Sequence, residues 1–215
     1  MAAGDHYERA YWARGLFAVA GVDEVGRGPL AGPLVAAAVV LRPEAPIDGL
    51  DDSKRLSAKK RETLYRRIVE EARAVAVGVA SVEEIDRLGV AVAAKAAMRR
   101  ALAGLSVVPE AVLVDAVALG AAREERAIIH GDRESVTIAA ASIVAKVIRD
   151  RWMADWAVLY PAYGWEENAG YGTARHRQAI VTHGVTPLHR RTFLRRLLGE
   201  ARAYDDGPVE GGVRR

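Results

Sequence analysis

Two short apolar runs, residues 17–22 and 34–41, flank the loop Gly26-Arg27-Gly28-Pro29-Leu30-Ala31-Gly32-Pro33. Apolar runs of this length bounded by glycine and proline are strands, and a connection so rich in turn formers lays the second strand beside the first. The first run leads into two adjacent acids, Asp23 and Glu24. A buried strand does not take neighbouring carboxylates without compensation, because an unpaired buried charge is costly. Successive strand side chains point to opposite faces, so both acids reach one site only if the chain bends there, a freedom that Gly26 and Gly28 supply.

Three further strands are expected at 75–79, at 111–114 ending on Asp115, and at 126–129. Ser57 can cap a helix whose apolar face is Leu64, Tyr65, Ile68, Val69 and Ala72. The alanine-rich run 90–103 keeps helical spacing through Val90, Ala94, Ala97, Met98 and Ala101. A long helix starts near Thr137, with Ala141, Val144, Ala145, Ile148 and Trp152 on its apolar face and Ser142, Lys146 and Asp150 on a polar ridge. Strands that form a meander and then alternate with helices predict an α/β fold, a mixed five-stranded sheet flanked by helices. After Tyr163 short helices follow at about 174–183 and 190–198, punctuated by Gly184 and Pro187. The chain therefore divides into an N-terminal segment (1–14), a core (15–163), a small helical C-terminal extension (164–200) and a frayed tail (201–215).

With 215 residues, 51% hydrophobic and 27% charged, the composition excludes disordered and fibrous classes. The chain has no cysteine, which removes disulfides, thiolate metal sites and cysteine nucleophiles, so any metal binds through oxygen or imidazole. No apolar run approaches membrane-spanning length and no signal-peptide core opens the chain, so a cytoplasmic protein without a membrane partner is expected. The formal charge of +3 hides two concentrations of base. Residues 54–67 carry Lys54, Arg55, Lys59, Lys60, Arg61, Arg66 and Arg67 against Glu62 alone, and residues 171–202 carry Arg175, Arg177, Arg190, Arg191, Arg195, Arg196 and Arg202 against Glu200 alone. Such segments suit a polyanion, or else they are solvated helix faces. His176 and His183 fall within the second segment and are expected as solvent or phosphate contacts.

Asp115 ends an apolar strand as Asp23 does, and Asp132 lies just past the fifth strand. Carboxylates at the ends of several strands can converge, and an all-oxygen cluster is hard-cation ligation suited to Mg²⁺ or Mn²⁺. Taken singly, each acid serves equally as a cap, a turn residue or an ion-pair partner. Asp150, one helical turn from Lys146, is explained by that pair. The loop from Gly26 matches neither a P-loop nor a dinucleotide fingerprint.

Five segments together resemble the bacterial ribonuclease HII family: Gly21-Val22-Asp23-Glu24-Val25-Gly26-Arg27-Gly28-Pro29-Leu30-Ala31-Gly32-Pro33-Leu34; Asp52-Ser53-Lys54-Arg55-Leu56; Ala139-Ala140-Ala141-Ser142-Ile143-Val144-Ala145-Lys146-Val147 with Arg149-Asp150-Arg151; Gly170-Tyr171-Gly172-Thr173; and Thr186-Pro187-Leu188-His189-Arg190-Arg191. The resemblance runs from about Gly21 to Phe193. It implies a ribonuclease H-like fold and a metal-dependent endonuclease that cuts RNA in RNA/DNA hybrids and at single ribonucleotides embedded in duplex DNA, acting as a monomer. The family's four metal-binding acids fall on Asp23, Glu24, Asp115 and Asp132, its Gly-Arg-Gly loop on Gly26, Arg27 and Gly28, and its junction-sensing tyrosine on Tyr171. Ser53, Lys54 and Lys146 are the remaining substrate contacts. Two ions about 4 Å apart can activate water, neutralise the phosphoryl oxygens and stabilise the leaving oxygen without a protein nucleophile. Asp23 is then the bridging ligand, Asp115 and Asp132 hold the ions from opposite sides, and Glu24 offers its carboxylate or its peptide carbonyl. The chain departs from the family pattern at Ala116 and Val117, where Gly-Asn is usual, and at His130 and Ala169, where lysine is common. A junction resolvase of similar fold and a non-catalytic nucleic-acid-binding module are the competing classes.

Overall fold

A computed structural model describes residues 2–199; the predicted tail beyond residue 200 lies outside the described residues. The elements in order are α1 (His6–Trp12), β1 (Val19–Val25), β2 (Leu34–Val40), α2 (Ala58–Glu71), β3 (Ala74–Ala80), α3 (Val82–Leu88), α4 (Val90–Ala103), β4 (Ala111–Asp115), β5 (Glu125–Ile128), α5 (Gly131–Glu134), α6 (Val136–Leu159), α7 (Trp165–Asn168), α8 (Ala174–His183) and α9 (Arg191–Leu198). The five strands form one sheet in the order β3-β2-β1-β4-β5. β1, β2 and β3 are antiparallel neighbours, whereas β4 runs parallel to β1 and β5 parallel to β4. The mixed sheet expected from the order of apolar runs is thus present. No helix among the described residues is long and apolar enough to cross a membrane.

Each face of the sheet is closed by a helix that approaches unusually near. Val35, Ala37 and Val39 of β2 pack with Leu64 and Ile68 of α2 and with Ala141, Val144 and Ala145 of α6. Val22, Ala36, Ala38 and Val114 pack on the other side with Ala94, Ala97, Met98 and Ala101 of α4. Glycine permits both approaches: a Cβ on Gly21 would stand 2.1 Å from the Thr137 carbonyl carbon, and one on Gly78 would stand 2.0 Å from the Ala97 oxygen. The alanine-rich helix therefore packs through its backbone as much as through its side chains.

Boundaries shift where single residues lie outside the packed stripe. Phe17 is half exposed and precedes β1, which instead runs on through Asp23 and Glu24 to Val25. Val69 is also exposed, so the buried stripe of α2 is Leu64 and Ile68 with Tyr65 and Ala72 at its edge. Residues 1–14 contribute more than a segment. Glu8 of α1 is buried and accepts from the Thr137 N–H at 3.0 Å and from the Ser135 and Thr137 hydroxyls, which satisfies one of the open amides that begin α6, while the Ser135 hydroxyl accepts from the Ile138 N–H. At the other end of the molecule Ala31, Met153, Tyr163, Trp165, Ile180 and Leu194 make a separate apolar cluster. There Asp86 of α3 accepts from the Arg191 and Thr192 N–H groups at 2.8 and 3.1 Å, capping α9.

Candidate active site

Strand register decides which acids can meet. Asp23 pairs with Ala37 and Glu24 with Ala36 in an unbroken antiparallel ladder that continues to Val25. Paired residues share a face, so Asp23 lies on the α6 side and Glu24 on the α4 side. The strand stays extended through both acids and turns at Gly26, one of the two glycines expected to supply the bend, where φ is +94°. In the parallel pair of β1 with β4, Val22 stands opposite Val114, and both side chains belong to the α4 face. The next residues, Asp23 and Asp115, therefore emerge together on the α6 side. Asp132 arrives in the first turn of α5, whose Gly131 N–H donates to Asp115 Oδ1 at 2.7 Å.

The cluster is electrostatically crowded. Burial pushes the Asp23 carboxyl well above the usual carboxylate range, and Glu24, Asp115 and Asp132 push it in the same direction. Asp132 is raised to about 6, by burial first and then by Asp52 and Asp115. Burial also raises Glu24 against the lowering effect of Arg27, whose Nη1 lies 3.2 Å from Glu24 Oε1. Glu24 Oε2 is buried without a hydrogen-bond partner. Burial draws the Lys54 ammonium down, but Asp52, Asp132, Asp23 and Asp115 together hold it above its ordinary value. Its Nζ is 4.0 Å from Asp132 Oδ2.

These are groups whose charge calls for a cation, and every donor is oxygen. No set of three or more His, Asp or Glu side chains among the described residues has a geometry that could by itself hold a metal ion. A Mg²⁺ ion keeps several waters and takes only one or two protein carboxylates beside substrate phosphates, so its binding does not require three carboxylates at one point. The raised proton affinities of Asp23 and Asp132, with oxygen as the only donor type, fit a hard divalent cation. Glu24, on the opposite face and tied to Arg27, stands apart from the other three.

Two residues beside the acids have roles that the sequence reading did not assign. The Ser142 hydroxyl lies 3.0 Å from the Ser53 hydroxyl, and Ser142 lowers the proton affinity of Asp23 against the effect of burial. Asp52 is buried beside Asp132; burial raises its carboxyl, but the Lys54 N–H and the Arg133 guanidinium, at 2.9 and 3.0 Å, more than offset this. Ser142 lay on the polar ridge of its helix, and a hydroxyl on a ridge that faces a strand end was the available signal. Ser53 is buried with its hydroxyl engaged, whereas Lys54 projects with 76% of its side chain exposed. Lys146 is bound to Asp150 at 2.7 Å, and Asp150 also lies 3.7 Å from Arg61, so the expected helical pair is present.

The loop after β1 is held by two buried arginines. Arg190 donates to the carbonyls of Gly26 at 2.6 Å, Arg27 at 3.1 Å and Gly32 at 2.7 Å. Arg149 donates to Pro33 at 3.0 Å, Ala31 at 3.0 Å and Ala169 at 2.8 Å, and so joins this loop to the one that carries Tyr171. Leu30 N–H adds a bond to Gly170 O at 2.8 Å. The Tyr171 ring lies beside Gly28, 3.6 Å from where a Cβ would stand. Arg190 and His176 had been expected on a basic surface, but both are fully buried. Carbonyls take up the Arg190 guanidinium, and His176 is enclosed by Trp165, Tyr171 and His189. Arg27 and Arg175 remain exposed.

Among the described residues the non-glycine positions with positive φ are Ala116 (57°), His130 (56°) and Ala169 (47°). Each stands one or two residues from Asp115, Asp132 or Tyr171. An alanine held in this region costs roughly 1 kcal/mol, and strain of this kind gathers at functional sites. All three are positions where the chain departs from the ribonuclease HII pattern.

A family model described as Ribonuclease HII matches residues 20–197. The chain is 51% identical over 188 residues to ribonuclease HII of Levilactobacillus brevis, covering 87% of this chain and 73% of that protein. It is 52% identical over 187 residues to the enzyme of Geobacillus thermodenitrificans, covering 87% and 72%. Among solved structures, ribonuclease H2 of Pyrococcus horikoshii superposes with a TM-score of 0.71 at 28% identity, over 87% of this chain and 99% of that one. Ribonuclease HII of Archaeoglobus fulgidus, solved as a complex with PCNA, gives 0.66 at 28% identity over 80% and 93%. With a family model matched over residues 20–197 and about half of the aligned residues identical to the two bacterial enzymes over 87% of its length, the chain is a nuclease that belongs to the ribonuclease HII family.

Proposed function

We propose that the protein hydrolyses the RNA strand of RNA/DNA hybrids and cuts 5′ to single ribonucleotides embedded in duplex DNA, leaving 3′-hydroxyl and 5′-phosphate ends. Asp23, Asp115 and Asp132, with Glu24 through its carboxylate or its peptide carbonyl, are the groups that would hold two Mg²⁺ or Mn²⁺ ions. Such ions supply an activated water and neutralise charge on the phosphoryl group. The observation that carries the substrate assignment is the meeting of Tyr171 with Gly28 across two loops joined by Arg149. At Gly28 no Cβ intervenes between backbone and sugar, so the peptide groups of Gly26, Arg27 and Gly28 can read a 2′-hydroxyl. Tyr171, 43% exposed, offers its ring to the deoxyribose that follows, where an extra hydroxyl would crowd it. Lys54 meets a phosphate near the acids, Lys146 does so on release from Asp150, and Ser53 supports the site through Ser142. The protein acts as a cytoplasmic monomer, with its core in residues 15–163 and its extension in 164–200.

The deciding substrate set is a DNA duplex with one ribonucleotide, an RNA/DNA hybrid, an all-DNA duplex and a four-way junction. Cutting of the first two alone is expected, and cutting of the junction would overturn the reading. Tyr171→Ala should lose roughly tenfold to a hundredfold of its cleavage at the single ribonucleotide and less on the hybrid, the scale of a lost stacking contact. Equal losses on both substrates would assign the ring to general positioning.

Asp132→Asn should lose at least about a hundredfold more activity than Asp150→Asn. Asp150 is committed to Lys146 and Arg61, whereas Asp132 is crowded by acids that a cation would relieve. The opposite order in steady-state rates would reject Asp132 as a metal ligand.

A further inference from the structure

Four buried side chains of the extension, Trp165, His176, Thr186 and His189, take no part in the chemistry assigned above. Their hydrogen bonds admit a single proton arrangement. Trp165 Nε1 can only donate, and it donates to His176 Nε2 at 3.0 Å. The His176 proton therefore sits on Nδ1 and is given to the Tyr171 carbonyl at 2.9 Å. The same bare Nε2 lies 3.2 Å from His189 Nε2, which must then be the protonated nitrogen of its ring. His189 Nδ1 is left to accept from the Thr186 N–H at 2.9 Å. Every ring nitrogen has its partner, and neither ring has room for a second proton. Burial holds both histidines below the ordinary range, His189 at about 3.

This series of hydrogen bonds leads to Tyr171, whose backbone is held at both ends. Its N–H donates to Asn168 O at 2.8 Å, and its carbonyl accepts from His176 and from the Thr173 N–H at 2.8 Å. Ala169 and Gly170 lead into it with φ of 47° and 83°, so the approach is a left-handed turn rather than a strand or helix. The ring itself is substantially exposed, and its backbone sets where it lies.

We infer that His176, held in one tautomer by Trp165 and His189, is the positioning residue that fixes Tyr171 against Gly28 and so sets how strictly a ribose-to-deoxyribose junction is required. The inference rests on the junction-sensing reading of Tyr171 given above. The readout is the ratio of cleavage at a single embedded ribonucleotide to cleavage of a continuous hybrid. His176→Phe keeps a ring but gives the Tyr171 carbonyl no donor, and should lower the ratio about three- to tenfold, the scale of one hydrogen bond. In His176→Asn the side-chain amide stands near the lost Nδ1, and the ratio should return to within about twofold of wild type. His176→Gln places its amide near Nε2 instead and should behave as Phe does. If the Phe variant does not fold, Asn against Gln carries the same comparison. In a Tyr171→Ala background His176→Phe should lower the ratio no further, because the ring it positions is gone. Equal ratios for wild type, Asn, Gln and Phe, or the same fall on both substrates, would overturn the inference if Tyr171→Ala alone still separates the substrates. Failure of Tyr171→Ala to separate them would remove the reading of Tyr171, and this inference with it.

Discussion

Asp23→Asn is expected to lower cleavage by at least about a thousandfold, about 4 kcal/mol of lost transition-state stabilisation, while the fold persists. The fold should in fact gain stability when no metal is bound. Asp23 is buried on the α6 side, and burial together with Glu24, Asp115 and Asp132 raises its proton affinity above that of the unfolded chain. A carboxyl raised in this way favours the folded state at low pH and loses that advantage as pH rises and the group charges. Asparagine never charges, so the variant's gain in melting temperature should be larger at pH 8 than at pH 5. Melting curves in a chelator at the two pH values, with rates at saturating Mg²⁺, check both halves of this expectation. Near-wild-type rates would remove Asp23 from metal binding, and a lower melting temperature without metal would make it a structural acid.

What could be read in the sequence, and what could not, follows from where each signal resides. Apolar runs of strand length placed the sheet because burial on both faces leaves a local trace, as in Leu34 to Val40. The acids were visible as charges ending apolar strands. Their division between faces was not, because it depends on the register of β1 against β2 and β4, which is a property of pairs of segments. His176 was hidden by its neighbours: Arg175, Arg177 and Gln178 are exposed, and they gave the helix a basic character. The trace was nevertheless present, since His176, Ala179 and Ile180 share the spacing of one buried stripe. Arg149 is similar, lying one turn from Ala145 and from Met153, both buried. Arg190 left no such trace. Its partners are backbone carbonyls more than 150 residues earlier in the chain, and no pattern of side chains announces a carbonyl.

Replacing Arg190 should therefore do more damage than its place in a basic run suggests. Its guanidinium is fully buried, and burial, with the nearby charge of Arg149, draws it down to about 9. The carbonyls of Gly26, Arg27 and Gly32 offset the cost of that burial by turning their negative ends toward it. Arg190→Leu fills much of the volume but supplies no donor, leaving these carbonyls unpaired in a loop where Gly26 and Gly32 already hold φ of 94° and 85°. The expected loss is about 3 kcal/mol or more, the scale of breaking a buried hydrogen-bonded charge, which for a chain of this size lowers the melting temperature by roughly 6–12 °C. Arg190→Lys keeps the charge but not the fork that reaches three carbonyls at once, and should recover less than half of the loss. Cleavage of embedded and hybrid substrates should fall in both variants, since the loop that reads the ribose loses its shape and with it the Gly28 surface against which Tyr171 rests. Thermal melts and paired rate measurements separate the outcomes. A change below about 1 kcal/mol would show that water replaces the guanidinium freely, and the loop would then be held by Arg149 and by backbone bonds such as Leu30 N–H to Gly170 O and Gly32 N–H to Leu188 O.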